Sequence, residues 1–279
     1  MSLIKAAAIL STASLAGPAA AQQAMPPEQS AHSVAEHELQ LALADARRSG
    51  DTARDQYRNP AETLAFFRVQ PGMTVADYLP GGGWYTRILA PYLGQGGRYI
   101  GLAPDPAATD NERMASYFRG LPAEFTAEVP EWRLTGAPVA IYNSNTVPAE
   151  MMGQVDRVLM FRAFHNLHRS GALHSELGRV RQMLADDGML GIVQHRANEW
   201  SDGEYTSGAR GYMRQSDVIG LVEAHGFQLV GTSEVNANPR DTADHPDGVW
   251  NLPPTLRGDN EALRSVGESD RMTLLFRKR

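Results

Sequence analysis

The sequence predicts an α/β protein built on a mostly parallel seven-stranded sheet with an antiparallel pair at one edge. Three observations carry this expectation. From residue 74 onward, short apolar runs alternate with stretches of helical apolar spacing, as parallel strands joined by crossover helices require. A glycine triplet, Gly81-Gly82-Gly83, follows the first run and precedes a helical stretch. The last two runs, 227–235 and 272–276, have no clear helical stretch between them and so pair antiparallel.

Taken in order, residues 1–21 read as a secretory signal peptide. Lys5 is their only charge, an apolar run follows, and Ala19-Ala20-Ala21 offers a small-residue cleavage site. Residues 22–58 form an N-terminal leader and helix, the helix over 33–48, and the main domain occupies 59–279. Asn59-Pro60-Ala61-Glu62 predicts a helix start, with Asn59 as N-cap, Pro60 at the first helical position and Glu62 as capping-box partner. Pro71-Gly72 ends that element. The first strand is expected at 74–79 and a helix at 84–93. A strand at 98–103, a helix at 112–121 and strands at 139–142 and 157–161 follow. Ser170 is expected to cap a helix with the stripe Leu173, Leu177, Val180 and Leu184, stopped at Asp187-Gly188. The fifth strand spans 189–193, and Ser216 caps a helix that Gly226 ends. Residues 236–257 contain four prolines and little periodicity, and are read as a lid-like insertion over the cleft.

Composition narrows the function classes. The chain has 279 residues, 42% of them hydrophobic, which suits one large domain with a sizeable core. Its net charge is −6 and it has no basic tract, so nucleic acid and anionic membranes are poor expected partners. No later segment reads as a membrane span, and a small molecule is the expected partner. There are no cysteines, which removes disulfides, thiol nucleophiles and thiolate metal sites.

A glycine triplet between a strand and a helix lets the backbone turn tightly and approach a ligand, although a merely tight turn would look the same. The run PGMTVADYLPGGGWYTRILAPYLG resembles the first motif of class I S-adenosylmethionine (SAM) dependent methyltransferases. The segments VDRVLMF and MLADDGMLGIV and the late strand pair fit the same order, so the resemblance covers about Pro60 to the C-terminus. More narrowly, NPAETLAFF, LPGGGWYT, FRAFHNLHR, IVQHRA and HPDGVWNLPP resemble a group of secreted methyltransferase-like proteins of Gram-negative bacteria. The resemblance implies a Rossmann-like class I methyltransferase fold, a periplasmic or secreted location and SAM as cofactor. It places Asp77, Gly81, Gly82 and Gly83 along the cofactor. Two positions depart from the pattern. Leu79 stands at the usual first glycine, and Ala103 stands where an acid should accept the ribose hydroxyls, with Asp105 two residues on as its substitute. Weak or absent SAM binding is therefore expected.

His165, Asn166 and His168 follow the fourth strand, and His195 and Arg196 follow the fifth. Neighbouring strands of a parallel sheet present such residues to one cleft, where a neutral imidazole is a competent base. The histidines could equally tie down loop backbone. No metal is assigned, because His-x-x-His in a loop lacks the usual zinc spacing. Tyr212 and Arg214, just before the capped helix, are candidate substrate-facing residues. Asp77, Gly81, Gly82, Gly83 and Asp105 are thus the cofactor candidates, and His165, His195, Tyr212 and Arg214 the catalytic ones. The leading function is SAM-dependent methyl transfer with a histidine base. The alternatives are a SAM-independent lyase, isomerase or hydrolase on the same fold, or a non-catalytic periplasmic binding protein.

Overall fold

The computed structural model describes residues 27–279, so the signal-peptide reading of 1–21 lies outside the described residues. The strands are β1 (Thr74–Tyr78), β2 (Arg98–Ala103), β3 (Val139–Asn143), β4 (Val155–Phe161), β5 (Leu184–His195), β6 (Phe227–Ser233) and β7 (Arg271–Lys278). They form one sheet in the order β3-β2-β1-β4-β5-β7-β6. The first five run parallel, and β7 enters antiparallel between β5 and β6, which makes the expected antiparallel pair at that edge. This is the Rossmann-like class I methyltransferase fold.

Eight helices accompany the sheet among the described residues: α1 (Pro27–Leu43), α2 (Asp55–Arg58), α3 (Pro60–Phe66), α4 (Thr86–Leu93), α5 (Glu112–Glu128), α6 (Phe164–Arg169), α7 (Leu173–Met183) and α8 (Gln215–Ala224). One face of the sheet packs Val158, Ile192 and Leu274 against Leu177 and Val180 of α7 and Val218 and Val222 of α8. The other packs Val75, Leu159 and Leu275 against Leu64 of α3, Ile88 and Leu89 of α4, and Leu39 and Ala42 of α1. Each fully buried Leu or Ile removed from water contributes about 1.5–3 kcal/mol, so these two layers clamp the sheet between them.

Several local expectations are corrected. The N-terminal helix begins earlier than residue 33 and ends at Leu43, before a short turn in which Arg48 is fully buried. Asn59 adopts a left-handed conformation at φ 37° and makes no side-chain cap. Its amide donates instead to the Val235 carbonyl at 2.6 Å, while Pro60 does occupy the first turn. Ser170 ends α6 rather than capping α7, whose N-cap is Ala172. Asp187-Gly188 does not stop a helix, because α7 ends at Met183 and the chain enters β5 directly. Ser216 lies inside α8 and pairs with Glu199.

The strand order positions the site. From β1 the chain steps outward to β2 and β3, then returns across β1 to β4 and continues the other way. Where the direction reverses, the connections leave on opposite sides and a crevice opens outside the carboxyl ends of β1 and β4.

Candidate functional site

Two cavities occupy this crevice. The larger, about 780 Å³, lies beyond β4 and β5. β4 ends at Phe161, and Arg162 then takes a left-handed conformation at φ 59°, with its N–H donating to the Val193 carbonyl at 2.6 Å. A non-glycine residue seldom adopts that conformation. The turn starts α6 immediately and brings His165 under the cavity floor. β5 runs straight to His195, so the two imidazoles meet with ring centroids 5.5 Å apart at 58°. Both are buried, at 5% and 7% exposure, and both line the cavity. The expectation that they face each other across the strand ends matches this geometry, but they are sunk deeper than cleft residues.

Gln194 fixes the proton on His165. Its Nε2 donates to the carbonyls of Gly211 at 2.6 Å and His195 at 3.3 Å. Its Oε1 must therefore accept, and it faces the His165 N–H at 3.4 Å and Nδ1 at 3.2 Å. His165 Nδ1 thus carries the hydrogen, and the Nε2 lone pair is left over. Burial pushes the His165 imidazole down to about 4, against the Gln194 hydrogen bond, and the ring is neutral at pH 7. His195 Nδ1 meets the Ser269 hydroxyl at 2.5 Å. Burial, then the neighbouring His165, Arg271 and Arg162, hold His195 well below its ordinary value. The Trp250 ring stands 6.4 Å from His165. It comes from a turn, Gly248–Asn251, in the proline-rich insertion, whose Asn236 and Asp241 are buried and tied to the body.

The smaller cavity, about 200 Å³, lies at the glycine loop, and Leu79 and Tyr117 border both cavities. Leu79 adopts the left-handed conformation of the glycine it replaces, at φ 54°, and Gly81 and Gly83 follow at 56° and 74°. Gly81 and Gly82 line this cavity with Ala103, Ile141 and two α5 carboxylates, Glu124 and Glu128. Gly83 does not. A Cβ there would overlap the Trp132 indole, so the close approach at Gly83 serves packing.

The remaining sequence candidates are placed elsewhere. Asp77 lies beneath the loop, 2% exposed, and accepts from the Tyr99 hydroxyl at 2.9 Å. Burial pushes its carboxyl up to about 7, partly offset by Tyr99 and Arg162. Asp105 borders neither cavity. It accepts from the Ala107 N–H at 2.9 Å and pairs with Arg179 at 2.7 Å, which commits both oxygens. Tyr212 is fully buried and donates to Asp241 at 2.7 Å, with its ring 6.3 Å from His195. It braces His195 from behind and does not border the cleft. Arg214 faces a different groove, donating to the Ser201 carbonyl at 3.2 Å and pairing with Asp217 at 3.4 Å. Gln194, Ser269 and Arg162 were not anticipated. Gln194 precedes His195 in the strand and so points to the opposite face, which is the one local signal for it.

Among the described residues no group of three or more His, Cys, Asp or Glu side chains is placed to hold a metal ion, and no helix is long and apolar enough to cross a membrane. No protein-family model and no curated protein matches the sequence. Solved structures with a similar chain path include a SAM dependent methyltransferase from Aquifex aeolicus, at 21% identity over 67% of this chain and 88% of that chain, with a TM-score of 0.48. A putative sarcosine dimethylglycine methyltransferase from Galdieria sulphuraria matches at 16% identity over 82% and 86%, with a TM-score of 0.48. The Burkholderia thailandensis 1,6-didemethyltoxoflavin-N1-methyltransferase, solved with 1,6-didemethyltoxoflavin and S-adenosylhomocysteine, matches at 16% identity over 94% and 93%, with a TM-score of 0.43. The likeness is one of fold.

Proposed function

We propose that this chain is an enzyme that transfers a methyl group from SAM to a small molecule in the His165–His195 cleft. The observation that carries the reading is the adjacency of two cavities at the switch point. One is a glycine-lined slot and the other a cleft floored by a neutral histidine with a directed lone pair. The residues present fit the cofactor. Gly81 and Gly82 leave open space above their backbone, and Leu102, Ala103 and Ile141 make an apolar wall for a flat base. Glu124 and Glu128, both exposed, are the carboxylates available to ribose hydroxyls in place of the missing acid at Ala103. SAM, when bound, supplies an electrophilic methyl group.

The protein supplies position and a base. His165 Nε2 takes the proton of a substrate hydroxyl or amine as that group becomes the nucleophile. His195, held by Ser269, borders the same space, and Trp250 narrows its mouth and excludes water. A site whose ribose partners are a solvent-exposed carboxylate pair should bind SAM weakly. Losing one hydrogen bond to a charged group costs about 1.5–3 kcal/mol, roughly ten- to a hundredfold in affinity.

A second reading is favoured by the capture of Asp105 by Arg179 together with Ala103: the same histidines would serve a SAM-independent lyase, isomerase or hydrolase. Isothermal titration of the full chain with SAM and its demethylated product separates the two. The methyl-transfer reading expects saturable binding of both, weaker than low micromolar and reduced by Gly82→Phe, which fills the slot. No binding of either ligand would overturn it in favour of the second reading. We also propose that the chain is exported, on the strength of Lys5, the apolar run and the Ala19-Ala20-Ala21 site. Mass spectrometry of protein from the native host should show a start at Gln22, and an intact Met1 would refute it.

A further inference from the structure

The charge lining the larger cleft opposes the charge of the whole chain. Acidic residues outnumber basic ones by 32 to 26, yet no Asp or Glu borders this cavity. Its charged lining residues are Arg113, Arg162 and Arg169. Arg113, near the start of α5, and Arg169, at the end of α6, are exposed at the rim. Arg162 lies inside.

Arg162 is the unusual member. Its side chain makes no hydrogen bond or ion pair among the described residues, although the left-handed backbone at φ 59° holds it at the cleft wall. Its charged neighbours are mostly cations. Arg58 is 4% exposed, stacks on Trp84 at 4.4 Å and has a buried Nε without a hydrogen-bond partner. Arg271 and Arg54 add to the positive field at Arg162. The acids near it are Glu268, committed to Arg54 at 2.5 Å, to Arg271 and to Arg58 at 3.8 Å, and Asp77, whose carboxyl burial holds up to about 7. Burial and these cations hold the Arg162 guanidinium well below its ordinary value. A half-buried guanidinium with no protein partner, set among other cations, is open to an anion, and backbone strain is retained where it positions a functional group. A bound anion would satisfy the guanidinium and offset the field that depresses His165 and His195.

We propose that the small molecule taken by this cleft carries an oxyanion, a carboxylate or a phosphate, gripped by Arg162 and drawn in by Arg113 and Arg169, with its reacting end against His165. The proposal rests on the reading that the cleft holds the substrate, but it is independent of SAM. Arg supplies the planar fork that matches either oxyanion, and rim cations steer anions toward it.

The test uses the full chain and four probes at fixed ionic strength: inorganic phosphate, phenyl phosphate, benzoate and neutral benzyl alcohol. Affinity is read by titration calorimetry and by the rise in unfolding temperature. We expect saturable binding of phenyl phosphate or benzoate, the stronger of the two naming the oxyanion, and none of benzyl alcohol. Inorganic phosphate should follow phenyl phosphate, more weakly. Arg162→Met should weaken the anion at least about tenfold, and Arg113→Gln with Arg169→Gln about two- to fivefold with a reduced salt dependence. No saturable anion binding to the wild type overturns the proposal. So does an equal response in Arg162→Met, which would mark a general salt effect. If Arg162→Met does not fold, Arg162→Lys takes its place: it keeps the charge, loses the fork and should still lose at least about fivefold, and unchanged binding overturns the proposal. SAM is titrated into the same samples. Lost SAM binding with intact anion binding defeats only the cofactor reading, and the reverse defeats only this one.

Discussion

The two sides of the crevice differ in nearly every respect that matters for chemistry. Over β1 and β2 the cavity is about 200 Å³, its walls are Leu102, Ala103 and Ile141, and its nearest buried acid, Asp77, is sealed under the loop. Over β4 and β5 it is about 780 Å³, basic, and floored by two neutral imidazoles. The glycine-loop side has a tight turn with positive φ at Leu79, Gly81 and Gly83, and its bordering carboxylates, Glu124 and Glu128, are exposed. The histidine side carries the polar machinery. Function has to be read from the side that holds the titratable groups.

The largest expected effect falls on the histidine side. His165→Ala should lower turnover of the cleft's substrate by about 10²–10⁴-fold, whereas Tyr212→Phe, behind the site, should lower it far less. Equal losses would erase the distinction between the floor and its brace. Steady-state rates on an identified substrate decide this. The His165→Ala change will also touch stability, because the ring is buried and bonded to Gln194.

The next two effects give the sides opposite responses to pH. Asp77 is held up to about 7 in the folded chain against 3.8 unfolded, so the stability it lends is present below about pH 4 and is lost as pH rises through 7. Asp77→Asn should thus stabilise the protein at pH 8 by up to about 4 kcal/mol. His165 is held down to about 4 against 6.5 unfolded, so its contribution is present above pH 6.5 and is lost as pH falls through 4. His165→Asn should remove up to about 3 kcal/mol of the acid-side loss. Denaturant unfolding from pH 4 to 8 measures both. A common direction of change in the two variants would show that the sides are not electrostatically distinct.

The smallest effect sharpens the reading of the glycine loop. Gly83→Ala should cost about 2 kcal/mol, because its positive φ and the Trp132 ring both oppose a methyl group. Gly81→Ala, with open space around it, should cost about 1 kcal/mol from its φ alone. If Gly83→Ala instead weakens SAM and leaves thermal unfolding unchanged, the approach at Gly83 belongs to a ligand after all.

The sheet was legible because buried parallel strands are short, apolar and bounded by breakers, and each of the seven was located within a few residues except at the start of β5. That start was obscured by Asp186-Asp187-Gly188, which read as a turn and in fact lies within the long strand β5. α6 is six residues long, too short to show a period. His165 and His195 were expected beside one cleft because strand ends fix where side chains point, and both border the larger cavity. Tyr212, Arg214 and Asp105 lie away from both cavities for one shared reason. Their partners are Asp241, the Ser201 carbonyl with Asp217, and Arg179, and a lone sequence does not say which polar group a side chain will meet. Arg162 carried no signal beyond its place after a strand, since its importance lies in the cations around it and in a backbone angle.

The amide of Gln194 has one more consequence. Its N–H groups point at main-chain carbonyls and its oxygen receives the His165 hydrogen, so the contact has a fixed polarity and ends in groups that do not exchange protons at neutral pH. If His165 is the base, a proton taken up at Nε2 has no inward route through Gln194. It must leave by the face through which it came, past the Trp250 turn, so His165 is a dead end rather than a relay. Each catalytic cycle would then reset only when that mouth admits water or releases a product able to carry the proton away.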